Sequence, residues 1–224
     1  MLNRQQIKER AHLFTFSFHN LFTLTTSVIT ASEDDMTYNP RKASQTIAFF
    51  ALKTGKNAVN VLKAVKLVYL SDRESIARYG FPILDERRVC MKHGPVNSFT
   101  YDHIKGEVPP EDDGGWGDFL SDRAGHDVGL ANDCLTTDDL DELSDADLET
   151  LEAVWDKFGS LDQWQLVDFT HDIANVPEWI DPKNQGSKTI SLERMLTAIG
   201  IPSPKAHAAE MNSVNYASGF LKGL

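Results

Sequence analysis

From Asn39 onward the apolar residues recur at helical spacing. Pro40 suits a first turn, and Ile47, Phe50, Ala51 and Leu52 form a stripe that Gly55 ends. Asn57 or Asn60 caps a second helix that runs to about Tyr79. Its apolar face is Val61, Leu62, Val65, Val68, Tyr69, Ile76 and Ala77, with Lys63, Lys66, Arg73 and Arg78 elsewhere, and Gly80 and Pro82 stop it. Residues 87–92 read as a short extended segment with Val89 and Met91 on one side. His93-Gly94-Pro95 follows as a turn, and Pro95 favours starting a helix that carries Val96, Phe99, Tyr101 and Ile104 to Gly106. Pro109, Pro110, Gly114 and Gly115 make residues 107–117 a loop, and residues 120–123 and 128–131 flank Ala124-Gly125-His126 as a hairpin.

Further on, Ser144 with Asp147 forms a capping-box-like start for a helix striped by Leu148, Leu151, Val154, Trp155 and Phe158. Gly159 closes it. Ser160, with Gln163 three residues on, caps the next helix, which reaches about Ala174 on Leu161, Trp164, Leu166, Val167 and Phe169. Pro177 and Pro182 bracket a loop, and residues 191–199 form a helix closed by Gly200. The pattern predicts an α+β fold, mainly α-helical, with a small antiparallel sheet or hairpin, in one domain over residues 36–200. Residues 201–224 read as a weakly helical tail. Residues 1–35 read as a leader or disordered extension, with Met36 as an alternative start. Arg4, Lys8 and Arg10 ahead of an apolar run give them the outline of a secretory signal, but His19 and Asn20 interrupt that run.

Charge changes the picture. The 224 residues carry 22 Lys and Arg against 33 Asp and Glu, a net charge of -11, which argues against binding nucleic acid by phosphate neutralisation. The acidity is a block: residues 111–156 hold 16 acids and a single base, Arg123. Arg123 cannot neutralise so dense a run. It is either a solvated face or a docking surface for a basic partner, with Asp138, Asp139, Asp141 and Glu142 as the candidate contacts. Cys90 and Cys134 are too few for a disulfide framework or a zinc site and read as a reduced, half-buried pair in a cytoplasmic protein, a single bridge staying open if the chain is exported.

Motifs of enzyme chemistry are missing. The chain has no Gly-rich phosphate loop, no His-Glu-x-x-His and no nucleophile elbow. His171 with Asp168 and Asp172 could form a metal or acid-base cluster, the basis for a metal-dependent hydrolase reading; the bland alternative is a histidine bonded to a neighbouring helix or a carbonyl. His93 in its turn would satisfy exposed turn groups. Trp155 and Trp164, at helical spacing, read as core, whereas Trp116 and Trp179, in Gly- and Pro-rich loops, are either lids on the core or partner anchors.

Three motifs in order resemble the Panacea domain family, which includes SocA-like antitoxins and phage-associated GepA-like proteins. The first is Lys66-Leu67-Val68-Tyr69-Leu70 followed by Tyr79-Gly80-Phe81-Pro82-Ile83. The second is Met91-Lys92-His93-Gly94-Pro95-Val96, close to the family's Trp-Lys-His-Gly-Pro-Val with Met91 for the aromatic residue. The third spans residues 154–179, with Phe158-Gly159, Leu161, Trp164-Gln165-Leu166, Thr170-His171 and Pro177-Glu178-Trp179. It is similar to the family's Tyr-Gly-x-Leu-x-x-Trp-Glu-Leu-x-x-x-Thr-His, with Phe for Tyr and Gln for Glu. The resemblance covers residues 40–181 and implies a non-enzymatic antitoxin that neutralises a cognate toxin, encoded beside it, by direct binding. SocA-like members further imply an adaptor that delivers the toxin to the ClpXP protease. A phage or mobile-element regulatory adaptor without a toxin is the alternative. On this reading Tyr69, Lys92, His93, Gly94, Pro95, Trp164, Thr170, His171 and Trp179 serve the fold or a partner interface, no cofactor or membrane is involved, and a Glu at position 165 could have made a charged contact with His171 that Gln165 cannot.

Overall fold

The computed structural model describes residues 38–109 and 112–222. The expectations for residues 1–35 and for Met36 lie outside the described residues. Within them are seven α-helices and five short strands, a compact, mainly helical α+β fold. No helix among the described residues is long and apolar enough to cross a membrane.

Helix α1 (Pro40–Lys53) begins as expected, with the Asn39 side chain accepting from the Lys42 amide at 3.0 Å and Pro40 in the first turn. Residues 43–51 are all buried, so α1 is an interior helix. Its short polar side chains return to the backbone of the previous turn: Ser44 donates to the Arg41 carbonyl and Thr46 to that of Lys42. The chain then forms strand β1 (Ala58–Asn60) and enters the central helix α2 (Val61–Tyr79). Asn60 is the cap, accepting from the Lys63 amide at 3.2 Å; Asn57 instead turns the chain at φ 54°. Gly80 closes α2 in the left-handed conformation at φ 83°. Residues 64–72 of α2 are buried on every side, and Ala77, expected on the apolar face, is exposed.

Strand β2 (Arg88–Met91) runs antiparallel between β3 (Gly94–Asn97) and β5 (Lys188–Ile190), with Cys90 opposite Pro95 and Arg88 opposite both Asn97 and Ile190. Pro95 therefore does not start a helix. It lies in an edge strand, where a missing N–H breaks no ladder bond, and α3 (Ser98–Lys105) begins three residues later. The expected hairpin is present: Leu120 bridges Leu130 in antiparallel sense, the Ser121 amide donates to the Gly129 carbonyl, and Ala124 and Asp127 exchange two backbone bonds across the turn. Strand β4 (Asp127–Gly129) pairs on its other side with β1. Strands β1 and β5, of three residues each, are too short to show a period.

Helix α4 (Asp145–Phe158) carries the expected capping box of Ser144 and Asp147. In α5 (Gln163–His171) the box sits two residues later than expected: Asp162 is the cap and Gln165 completes it by accepting from the Asp162 amide at 2.9 Å. The helix stops at His171, short of Ala174. After β5 come α6 (Leu192–Ala198), capped by Ser191, and α7 (Pro204–Lys222). The tail helix packs back on the domain, burying Ala208 and Met211 and bringing His207 Nε2 within 3.2 Å of the Gly80 carbonyl.

Two buried carboxylates tie the β2–β3 region to its surroundings. Asp72 of α2, fully buried, accepts from the Leu84 amide (2.8 Å), from Arg88 Nε and Nη2 (3.2 and 2.7 Å) and from Asn97 Nδ2 (2.8 Å). Glu86 accepts from the amide and hydroxyl of Thr100, and burial pushes its carboxyl up to about 7 despite those bonds. Asp72→Ala would strand the Arg88 guanidinium, whose side chain is 7% exposed, without its anion. The expected cost is about 3–5 kcal/mol, read as a lower urea midpoint at unchanged slope.

Candidate functional site

The motif residues converge on one flank of α2. Lys66, left off the apolar face by the helical stripe, is completely buried, and its ammonium donates to the Pro95 carbonyl at 2.8 Å. Above it the chain needs glycine: Gly94 has φ +92°, and a Cβ there would stand 2.6 Å from Thr170 Oγ1 and 3.0 Å from Lys66 Nζ. Thr170 is buried too and donates back to the Leu166 and Val167 carbonyls. Gly94, Pro95 and Thr170 thus enclose a lysine. No carboxylate bonds it among the described residues, and burial lowers its pKa to about 7.

One turn further along α2, Tyr69 donates to Glu178 Oε1 at 2.8 Å, and Arg73 Nε reaches the same oxygen at 2.8 Å. Glu178 is wholly buried, and its second oxygen, Oε2, has no partner among the described residues. The next residue, Trp179, donates from Nε1 to the Met91 carbonyl at 3.3 Å and stacks on His171 with ring centroids 4.3 Å apart. The bond expected of His171 is not seen at Nε2, which is buried without a partner among the described residues. Burial lowers the His171 pKa, and the positive charges of Lys66 and His93 act in the same direction. Trp179 therefore serves as a lid, as does Trp116, which stacks on His103 at 5.0 Å.

At the surface the assignment of Trp164 is overturned. It is 56% exposed, held edge-on to His93 at 6.0 Å, whereas Trp155 is half-buried against Phe50. Trp164 lies in the first turn of α5, and the side that the helix buries carries Leu166, Val167 and Thr170. Lys92 and His93 are exposed at the tip of the β2–β3 turn. Trp164, His93, His171, Trp179 and the 41% exposed Ile180, whose amide donates to Cys90 Sγ, follow one another around this corner of the sheet.

Cations outside the acidic block pair with five of its sixteen acids, Glu149 through Arg78 among them. Arg41 holds Asp118 at 2.6 Å and Asp141 at 3.2 Å, Lys42 holds Asp147, and Lys53 holds Glu152. Of the four candidate docking residues, Asp139 caps its own turn through Thr136, Asp141 bonds Arg41 and Gln45, and Glu142 accepts from Asn39; the Asp138 side chain has no partner among the described residues. Asp172 serves the turn after α5, bonding the Ala174 amide and Asn175, and no group of three or more His, Cys, Asp or Glu among the described residues is placed to hold a metal ion. Gln165 is occupied at the helix cap, away from His171. The cysteines are free and unlike each other, Cys90 buried and Cys134 exposed.

A mainly helical α+β domain, with three separated motifs gathered around one buried helix, is the class this geometry defines. Residues 65–179, just over half the chain, match the model of a family described as antitoxin SocA-like, Panacea domain, and the chain belongs to that family. No curated protein and no solved structure matches it. Membership carries an antitoxin-like role and implies a protein partner.

Lys66 and Glu86 bend the pH dependence of stability in opposite senses. The Glu86 carboxyl, raised from 4.5 to about 7, favours the fold fully below pH 4.5, and that contribution is lost as pH rises to about 7. For Lys66, lowered from 10.5 to about 7, the cost of burying the charge is complete below pH 7 and lifts as pH rises towards 10.5. Their joint contribution is smallest near neutral pH. Urea midpoints measured across this range should show Lys66→Met flattening the alkaline limb and Glu86→Gln the acidic one.

Proposed function

We propose that this chain is a non-enzymatic antitoxin that silences a cognate toxin, encoded beside it, by direct binding through the face around Trp164 and His93. One observation carries the choice of face: a large indole, 56% exposed, stands on a capped helix whose buried side is already filled by other residues. Folding gains little from leaving Trp164 in water, whereas exposed tryptophans on rigid supports are the usual anchors of protein interfaces. His93 and Ile180 extend the same surface with aromatic and apolar area. The acidic block is a weaker candidate, because most of its named carboxylates already serve bonds within the chain. Release of the bound toxin to ClpXP is the second step of the proposal and rests on the resemblance to SocA-like members.

The neighbouring gene, expressed alone, should arrest growth, and co-expression of this chain should restore it. Trp164→Ala should weaken co-purification of the two proteins at least about tenfold, the loss typical of a truncated anchor, with the urea midpoint unchanged. Full rescue and unchanged binding by Trp164→Ala would move the interface elsewhere. Failure of the wild-type chain to bind or rescue would remove the antitoxin reading. For the adaptor step, the toxin should decay faster in cells that contain both this chain and ClpXP, and persist when ClpXP is deleted; equal half-lives in the two strains would leave masking alone.

A further inference from the structure

Stability alone does not account for a lysine at position 66. Its side chain is completely buried on α2, and among the described residues its one hydrogen bond runs from Nζ to the Pro95 carbonyl at 2.8 Å. An ammonium that leaves water for a single neutral acceptor recovers little of its hydration, and burial lowers the Lys66 pKa to about 7. Methionine would fill nearly the same space without that cost. What methionine lacks is a donor for the Pro95 carbonyl.

The bond falls where three elements meet. Gly94 of β3 lies between Lys66 of α2 and Thr170 of α5: a Cβ on Gly94 would stand 3.0 Å from Lys66 Nζ and 2.6 Å from Thr170 Oγ1. Backbone, ammonium and hydroxyl are therefore packed without a gap, and the junction sets how far the β2–β3 turn stands from α5. One side chain reaches solvent from each side of it. His93 precedes Gly94 in the turn, and Trp164, 56% exposed, stands on the same helix as Thr170. Their rings meet edge-on at 6.0 Å. Neither ring has a hydrogen bond among the described residues, so the spacing of the two backbones decides whether the rings touch.

We propose that Lys66 is a positioning residue of the recognition face: its bond to the Pro95 carbonyl holds the β2–β3 turn at the distance from α5 that sets His93 against Trp164. The indole is then oriented before a partner arrives, and an anchor held in place loses less freedom on binding. The role in recognition rests on the reading that the chain binds a protein through Trp164. The effect on the turn does not, and it is measured on the chain by itself. A buried charge that lowers stability and orders a binding surface is an instance of the trade-off expected where function sets the residue.

Lys66→Met in the isotope-labelled full-length chain, with Ile47→Val on α1 as the control for a weakened core, separates the outcomes. In Lys66→Met the urea midpoint at pH 6 should be no lower than in the unaltered chain. The NMR cross-peak between the rings of His93 and Trp164 should be lost, and the Trp164 indole resonance should move to its position in His93→Ala. Ile47→Val should lower the midpoint and leave both ring signals in place. Co-purification of the neighbouring gene product should fall about tenfold with Lys66→Met, the loss expected when an anchor must be ordered on binding. A lower midpoint or a chain that fails to fold would make Lys66 a support of the core, and unchanged ring signals would mean that other bonds hold the turn; either result overturns the proposal. Undiminished co-purification with shifted ring signals overturns it too, and leaves the antitoxin reading standing. If the unaltered chain binds no neighbouring product, the antitoxin reading falls, and the ring signals still decide what Lys66 does to the turn.

Discussion

A carboxylate removed from water has to be served by the protein on every side, and Asp72 shows what that requirement does to this chain. Its donors come from the loop at Leu84, from Arg88 in β2 and from Asn97 in β3, so one side chain of α2 fixes the start of β2 and the end of β3 together. A buried charge pair adds little net stability over an apolar pair of the same size, yet breaking it is expensive. The consequence is geometric: the β2–β3 turn, which carries His93 and Gly94, has one position relative to α2. Lys66 and Tyr69 repeat the arrangement on the adjoining turns, reaching the Pro95 carbonyl and Glu178.

The surface features that recognition would use are thereby held by interior bonds. His93 stands next to a glycine that cannot acquire a side chain without meeting Thr170 and Lys66. Trp179 is pinned by its bond to Met91 and by its stack on His171. Trp164 is carried on a helix whose first turn is closed by Asp162 and Gln165. A partner meeting this corner finds aromatic area already ordered, so binding need not supply the entropy of ordering it. The family described as SocA-like and Panacea is matched over the stretch that builds this corner, whereas α6 and α7 lie beyond it.

Much of this was legible along the chain. The helices α1, α2 and α4 and their caps follow from apolar spacing, Asn and Ser at the starts and Gly80 at a stop, because those signals are local. Where local signals mislead, one cause recurs. Pro95 favours a helix start by local rules, but its place in an edge strand depends on β2 lying beside it. The spacing of Trp164 suits a core position, yet Leu166, Val167 and Thr170 fill the buried side of α5. Lys66 carries a usable signal, since Leu62, Lys66, Tyr69 and Arg73 fall on one helical line and two of the four are apolar or aromatic.

Local signals along the chain suffice for the helices α1, α2 and α4, their caps and the identity of the motifs, since each depends on residues within a few positions of one another. The sequence also determined the charge block of residues 111–156 but not its meaning. That four of the acids there are held by Arg41, Lys42 and Lys53, that Glu178 belongs with Tyr69 and Arg73, and that Trp164 is exposed follow from contacts in space. The partners lie about a hundred residues apart in several of these pairs, and charge, burial and hydrogen bonding act through distance in space, on which separation along the chain places almost no constraint.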